Sequence, residues 1–289
     1  MSPYLYALFS NITFGLGAQI FTLFSRRISP VWMTVLKGAA GCVFFFITIM
    51  LTGGFSAAAP KYIGTFFLSG FIGLGIADIL LLKSFADLGP ARTILLYGFQ
   101  PLIIGVLSFF IFGQTVNLLK FCSIIFFLVC IFIFALESFR RSGHWSVRAM
   151  TIAFFSMVLD SVGIIITRYS FNGSDISALQ GNFYRTLGAV ACFFIISAFF
   201  NVNFWGTLAK MRKRDISLAA LGSFLGVYLA LVFYLVAIKT GNLAAVTAIS
   251  VTGAIFAAVF ECVFERKRPS KYLLSAFVFF AAGMYILLI

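Results

Sequence analysis

Four ionisable side chains fall deep inside long apolar runs of this 289-residue sequence: Lys37, Asp78, Asp160 and Arg185. A charge at the centre of a bilayer costs about 2.5–3.5 kcal/mol on insertion scales, so each needs a partner or a wet cavity. With a helical rise of about 1.5 Å per residue, Lys37 and Asp78 fall about 10 and 9 Å from connectors on one side of a membrane. By the same measure Arg185 and Asp160 fall about 13 and 15 Å from a connector on the other side. The expected arrangement is two acid–base pairs at comparable depth on opposite sides. Each pair either closes one mouth of a cavity, or offers its base to a carboxylate or phosphate and its acid to a proton. Two structural ion pairs that hold helices together account for the same spacing. At opposite depths Asp78 and Asp160 do not readily form a catalytic dyad.

Uncharged polar groups add to this set. Gln100 stands beside Pro101 in the middle of an apolar run, and Tyr97, Tyr184, Tyr228 and Tyr234 carry hydroxyls that require partners within the bilayer. These are better cavity candidates than any of the 39 phenylalanines, whose default place is against lipid or a neighbouring helix. The candidate substrate-binding or gating set is therefore Lys37, Asp78, Tyr97, Gln100, Asp160, Tyr184, Arg185 and Tyr228.

Other chemistry lacks its residues. His144 is the only histidine and lies in the connector "RRSGHWSVR", so no multi-histidine metal site can be assembled. Cys42, Cys122, Cys130, Cys192 and Cys262 sit in apolar stretches without a C-x-x-C pair and read as packing residues. No G-x-x-x-x-G-K-[ST] loop occurs, which argues against ATP hydrolysis by this chain. No cofactor, no metal and no enzymatic activity are expected.

The elements that carry these residues follow from composition. The chain is 62% hydrophobic, 18% aromatic and 10% charged, with a mean hydropathy of +1.09, more apolar surface than a soluble domain can hide. A hydrocarbon core about 30 Å thick needs about 20 apolar residues per helix, and the runs are too long for barrel strands. The expected fold is an all-α integral membrane bundle of ten transmembrane helices. They run near residues 3–24, 30–52, 62–84, 90–112, 117–137, 147–170, 176–200, 215–238, 242–264 and 270–289. The opening "MSPYLYALFSNITF" lacks a basic segment and reads as the first span rather than a cleaved leader.

The net charge of +13 is carried by short connectors, which suits anionic lipid headgroups and argues against nucleic acid as a partner. The connectors after helices 1, 3, 5, 7 and 9 hold most of the basic residues, among them Arg26, Arg27, Arg140, Arg141, Lys210 and Arg212. The even connectors hold only Lys61, Lys120, Arg168 and Lys239. This bias puts the odd connectors in the cytoplasm and both termini outside. Glu261, beside "ERKRPS", reads as interfacial.

An internal repeat organises the spans. Shifted by 152 residues, "DLGPARTILLYGFQP" falls on "KTGNLAAVTAISVTG", and Gly70 meets Gly222, Gly89 meets Gly241 and Phe112 meets Phe264. Earlier, an offset of 148 pairs Lys37 with Arg185. The domains are therefore residues 1–138 and 147–289, each a five-helix unit, and an odd helix number inserts the second unit upside down. Gly89 and Pro90 suit a sharp turn into a helix. Pro101 and its counterpart Gly253 are expected to loosen both copies at the same depth, as a packing kink or as freed carbonyls facing a cavity. The small residues of "GFIGLG" and "GSFLG" read as close helix packing.

The segments "SFADLGPARTILLYGFQPLIIGVLSFFIFGQTVN" and "VAIKTGNLAAVTAISVTGAIFAAVFECVFERKRPS" resemble the helix–turn–helix that ends each repeat of the EamA-like branch of the drug/metabolite transporter superfamily. A basic residue in the second helix of each repeat, here Lys37 and Arg185, is also shared. The sequence departs from the pattern at Gln114, which stands for the usual Glu, at Gly253, which stands for the second proline, and at Glu265, which lacks its preceding Gly. The resemblance implies ten helices, a central cavity and secondary transport, often export, of small metabolites such as amino acids. A small-molecule substrate, a coupling proton or ion, and membrane lipids would be the partners of a monomer or homodimer in a bacterial cytoplasmic membrane. The four-helix relatives bind cations through a Glu in their first helix. Here that helix offers only Asn11 and Gln19, which leaves cation-for-proton exchange by that route unsupported. A lipid flippase subunit, a channel and an intramembrane enzyme are the alternatives.

Overall fold

The computed structural model describes residues 2–25, 30–88, 90–141, 146–200, 206, 208, 209, 211–264, 266 and 268–289, and all regular structure among them is helical. The first half holds α1 (Pro3–Ser25), α2 (Pro30–Leu51), α3 (Pro60–Ser69), α4 (Asp78–Leu88), α5 (Pro90–Tyr97), α6 (Gln100–Phe112) and α7 (Leu118–Arg141). A π-helical stretch, Gly70–Ala77, joins α3 to α4 in one rod. The second half holds α8 (Val147–Asn172), α9 (Ala178–Phe200), α10 (Lys213–Ser223), α11 (Ala230–Thr240), α12 (Leu243–Val251), α13 (Gly253–Phe264) and α14 (Lys271–Leu288). Here too a π-helical stretch, Phe224–Leu229, joins α10 to α11.

Local chemistry sets the boundaries. Pro3, Pro30, Pro60 and Pro90 open helices, where a missing N–H costs nothing. Ser146, Asn242 and Ser270 cap α8, α12 and α14 by accepting from Ala149 N, Ala245 N and Leu273 N at 3.4, 3.2 and 3.1 Å. Gly113 closes α6 with φ 64°, a left-handed position that a side chain would strain. Pro101 does not interrupt a helix, as its mid-run position suggests. The chain breaks just before it, and Pro101 lies in the first turn of α6. The matching break falls at Thr252, between α12 and α13. Gly89 and His144 lie outside the described residues.

Among the described residues, six helices are long and apolar enough to cross a membrane: Pro60–Leu81, Val147–Asn172, Ala178–Ala198, Lys213–Thr240, Leu243–Phe264 and Lys271–Leu288. Val35–Leu51, Gln100–Phe112 and Leu118–Ile133 are shorter apolar helices. Large side chains such as Phe110, at 79% exposure, and Leu51, at 81%, point outward, as they would toward lipid. The chain is an integral, multi-pass membrane protein, helical because hydrocarbon leaves no other partner for backbone groups.

Three antiparallel contacts build the centre. The rod from α3 to α4 runs against α8, tied by Ser170–Thr65 at 2.7 Å, Thr167–Ser69 at 3.1 Å and Ser156 Oγ to the Ala77 carbonyl at 2.7 Å. The rod from α10 to α11 runs against α1, with Ser10 Oγ donating to the Ala230 carbonyl at 2.9 Å. In each case a serine of the opposite half takes a carbonyl at the end of a π-helical stretch, where the i→i−4 ladder is broken. Between them α2 lies antiparallel to α9, with Gly38 near Val190 and Phe46 near Phe183. Gly70 is glycine because the Arg185 carbonyl occupies the space a Cβ would need.

Three basic residues of the even connectors, Arg168, Lys239 and Lys61, have local partners. Arg168 Nη1 donates to the Ile238 and Lys239 carbonyls at the end of α11, and Lys239 Nζ donates to Ile176 O at 2.9 Å. Lys61 lies over the rings of Tyr62 and Tyr169. A cation at the C-terminal end of a helix is favoured by its dipole, which gives Arg168 at the end of α11 a local reason to depart from the charge bias.

Candidate functional site

A cavity of about 280 Å³ opens where the three antiparallel contacts meet. Its wall takes Ser10, Asn11 and Phe14 from α1, Lys37 and Gly38 from α2, Leu74 and Asp78 from the first π-helical rod, and Asp160 from α8. Thr186, Ala189 and Phe193 of α9, Tyr234 of α11 and Ser250 of α12 join it, with Gly226, Val227, Ala230 and Leu231 of the second rod closing the remaining side. Both halves therefore contribute, and the charges converge on one space.

That convergence corrects the expectation of two acid–base pairs on opposite sides. Lys37, Asp78 and Asp160 line the same cavity, and Asp78 lies within electrostatic reach of Lys37, Asp160 and Arg185 together. The reason is geometric. Asp78 is about 15 Å from the Leu88 end of its rod and Asp160 about 20 Å from the Val147 end of α8. Those two ends lie on the same side, because the helices are antiparallel. Rods longer than the bilayer is thick leave both acids near the middle. The argument from depth against an acid dyad falls with the same correction.

The polar neighbours are ordered. Gln100 Nε2 donates to Asp160 Oδ2 at 2.6 Å, and the Tyr97 hydroxyl shares a hydrogen bond of 2.6 Å with Ser156 Oγ. Tyr97 and Gln100 thus flank the break before α6 and reach across to α8. Arg185 is 1% exposed. Among the described residues its Nε and Nη1 find no acceptor, although Tyr234, Asp160 and Asp78 lie within electrostatic reach. A desolvated guanidinium with open donors, one residue before the cavity-lining Thr186, can bind an anionic group.

Tyr184 and Tyr228 are placed differently. The Tyr184 hydroxyl accepts from Gln180 Nε2 at 3.2 Å, and Gln180 also holds the connector after α2 by accepting from Ser56 Oγ at 2.6 Å and donating to Ser56 O at 2.9 Å. Phe55 of that connector packs on Phe183 and Tyr184. Tyr228 shares a 2.9 Å hydrogen bond with Thr48 among Phe44, Phe45 and Phe224. Neither tyrosine is in the cavity wall. They belong to an aromatic cluster beside it, between the C-terminal part of α2, α9 and the second π-helical stretch.

Sequence reasoning did not find Ser10, Thr186 and Ser250 in the wall, or Ser156 beside it. Asn11 was weighed only as a missing Glu, yet its Nδ2 donates to Ile249 O at 2.6 Å and to Thr252 Oγ1 at 3.2 Å, across the second helix break. Small polar residues in apolar helices were the available signal.

A largely apolar cavity with charged side chains in its wall, lined by helices of both halves of a multi-pass bundle, fits one class: a membrane transporter. The sequence model of the EamA-like transporter family matches residues 1–136 and 147–289, and the chain belongs to that family, within the drug/metabolite transporter superfamily. No curated protein matches the sequence. A solved crystal structure, of a chain 16% identical, superposes with a TM-score of 0.79 over 99% of this chain and 96% of that one. At that identity the likeness is one of fold.

Proposed function

We propose that the protein is a secondary active transporter, an exporter or exchanger of small metabolites such as amino acids or related amphipathic compounds, working by alternating access in a bacterial cytoplasmic membrane. The observation that carries this reading is the 280 Å³ cavity with Lys37, Asp78 and Asp160 in its wall and Arg185 behind it. That volume lies near the lower end of small-molecule sites, about 300–1,000 Å³. Lys37 and Arg185 supply the positive field for a carboxylate or phosphate, and the aromatic cluster around Tyr184 and Tyr228 seals one mouth.

The topology in this reading is ten transmembrane helices in two inverted five-helix repeats, residues 1–138 and 147–289. Two features support it: the π-helical stretches and helix breaks recur about 152 residues apart, and α2 lies antiparallel to its counterpart α9. Inverted repeats that meet at a midplane cavity can exchange conformations and expose it to either side in turn.

Counterflow in proteoliposomes is the test, with radiolabelled amino acids and sugar phosphates as probes. A carrier accelerates uptake of label when unlabelled compound is loaded inside. Uptake without trans-stimulation would mark a channel, and a chemically altered probe would mark an enzyme. Replacing Lys37 or Arg185 by Gln in monodisperse protein abolishes exchange. Full exchange in both variants would assign the two bases to structure alone.

A further inference from the structure

Asp78 and Asp160 are two of eight acidic residues in the chain, and both line the cavity. Their backbones are fixed to each other. Ser156 Oγ donates to the Ala77 carbonyl at 2.7 Å, Asp78 follows Ala77 directly, and Asp160 stands one turn beyond Ser156. Gly163 leaves room for this approach, since a Cβ there would lie 2.9 Å from the Gly73 Cα and 3.0 Å from the Ser69 carbonyl oxygen. The groups that face the pair are Lys37 from α2, Arg185 from α9, Tyr97 from α5 and Tyr234 from α11. Gln100 holds one oxygen of Asp160 at 2.6 Å.

The repeat shows that this pair is not part of what the two halves share. At the offset of 152, Ala230 stands where Asp78 does. Thr252 stands where Gln100 does, and its partner from the opposite half is Asn11 instead of an acid. The same serine-to-carbonyl bond ties both interfaces, yet only the interface of α8 carries carboxylates.

Two carboxylates confined to one poorly hydrated space share a proton more readily than both ionise, and they titrate as a unit. Among the described residues Arg185 Nε and Nη1 make no hydrogen bond, so neither donor pins an acid in its charged form, and Lys37 acts on Asp78 and not on Asp160. We propose that Asp78 and Asp160 together bind one exchangeable proton, and that the chain carries this site at the α8 interface and not at the α1 interface. The proposal deepens the reading of the cavity as a transport site by naming its coupling ion, and rests on that reading for coupling alone.

Infrared pH titration of the purified full-length protein in detergent tests the proton site without any transported compound. The wild type minus Asp78→Asn/Asp160→Asn difference spectrum shows a protonated-carboxyl C=O band equal to one carboxyl per chain around neutral pH. Each single variant, Asp78→Asn or Asp160→Asn, frees the remaining acid from its like-charged neighbour, so its band disappears at a pH lower by about one unit or more. No band around neutral pH in the wild type would overturn the proposal, as would a band that keeps its midpoint in either single variant. Should one Asn variant not elute as a monodisperse species, the corresponding Glu variant keeps the pair and must keep a shared band. Because no flux is measured, loss of the proton site and loss of the transport reading are separate results.

Discussion

The interface of α8 with the rod from α3 to α4 and the interface of α1 with the rod from α10 to α11 are built on one plan and filled differently. Both run antiparallel, both cross a π-helical stretch, and both spend a serine on the carbonyl that ends it. Where the α8 interface meets the cavity, its polar side chains include Asp78, Asp160, Gln100 and Tyr97. At the α1 interface they are Asn11 and Thr252, and the backbones of Gly17 and Gly226 come into direct contact. One frame therefore supports a charged junction on one side and a neutral one on the other, each closed by a glycine pair, Gly73 with Gly163 and Gly17 with Gly226. The difference teaches that the duplicated frame fixes where the cavity lies, while single substitutions within it decide where charge resides.

The largest effect is expected at Arg185. A buried guanidinium whose Nε and Nη1 are left without acceptors among the described residues is costly to the fold, so Arg185→Met leaves the thermal stability of the detergent-solubilised protein unchanged or raises it, and abolishes counterflow. Loss of function with gained stability is the pattern of a residue kept for its site. If Arg185→Met instead unfolds the protein, the guanidinium belongs to packing, and the charged junction differs from the neutral one in stability rather than in task.

The glycines of the two junctions make the next prediction. A Cβ on Gly17 would meet the Gly226 N at 2.5 Å and the Gly222 O at 2.9 Å, backbone atoms that cannot turn aside. A Cβ on Gly73 would find ordinary contacts at 3.4 Å and beyond. Gly17→Ala should cost about 1–3 kcal/mol of stability by overpacking, read as a lower midpoint in thermal unfolding, and Gly73→Ala distinctly less. Equal losses would mean that Gly73 is pressed on backbone as closely as Gly17.

Much of the frame was legible in the sequence, because it is written in long apolar runs, proline starts and a hydropathy pattern that repeats. The paired breaks near Pro101 and Gly253 were legible as well, since both lie in turn-like positions of otherwise apolar helices. The convergence of the charges was not. Depth along a straight helix says nothing of which rods are longer than the bilayer or which face of each turns inward, and that error sent Asp78 and Asp160 to opposite sides. The π-helical stretches were hidden too. "GFIGLG" shows small residues, and small residues fit close packing as well as a widened turn. Tyr184 and Tyr228 show the same limit in reverse: a hydroxyl in the bilayer needs a partner, but Gln180 and Thr48 serve for that outside the cavity wall.

The smallest effect separates frame from filling most cleanly. Ser10 gives its hydroxyl to the Ala230 carbonyl alone among residues of the opposite half, whereas Ser156 serves both the Ala77 carbonyl and the Tyr97 hydroxyl. A buried neutral hydrogen bond contributes about 0.5–1.5 kcal/mol net, so Ser10→Ala is expected to cost about 1 kcal/mol and Ser156→Ala about one bond more. In a Tyr97→Phe background the excess should vanish, because the phenol that loses its partner is no longer there. Equal residual costs in that background, measured by a double-mutant cycle in thermal unfolding, would show that the serine-to-carbonyl bonds belong to the shared frame. An excess that persists without the Tyr97 hydroxyl would mean that Ser156 supports the acid pair as well, and that the charged junction reaches deeper into its helix than Asp78, Asp160 and Gln100.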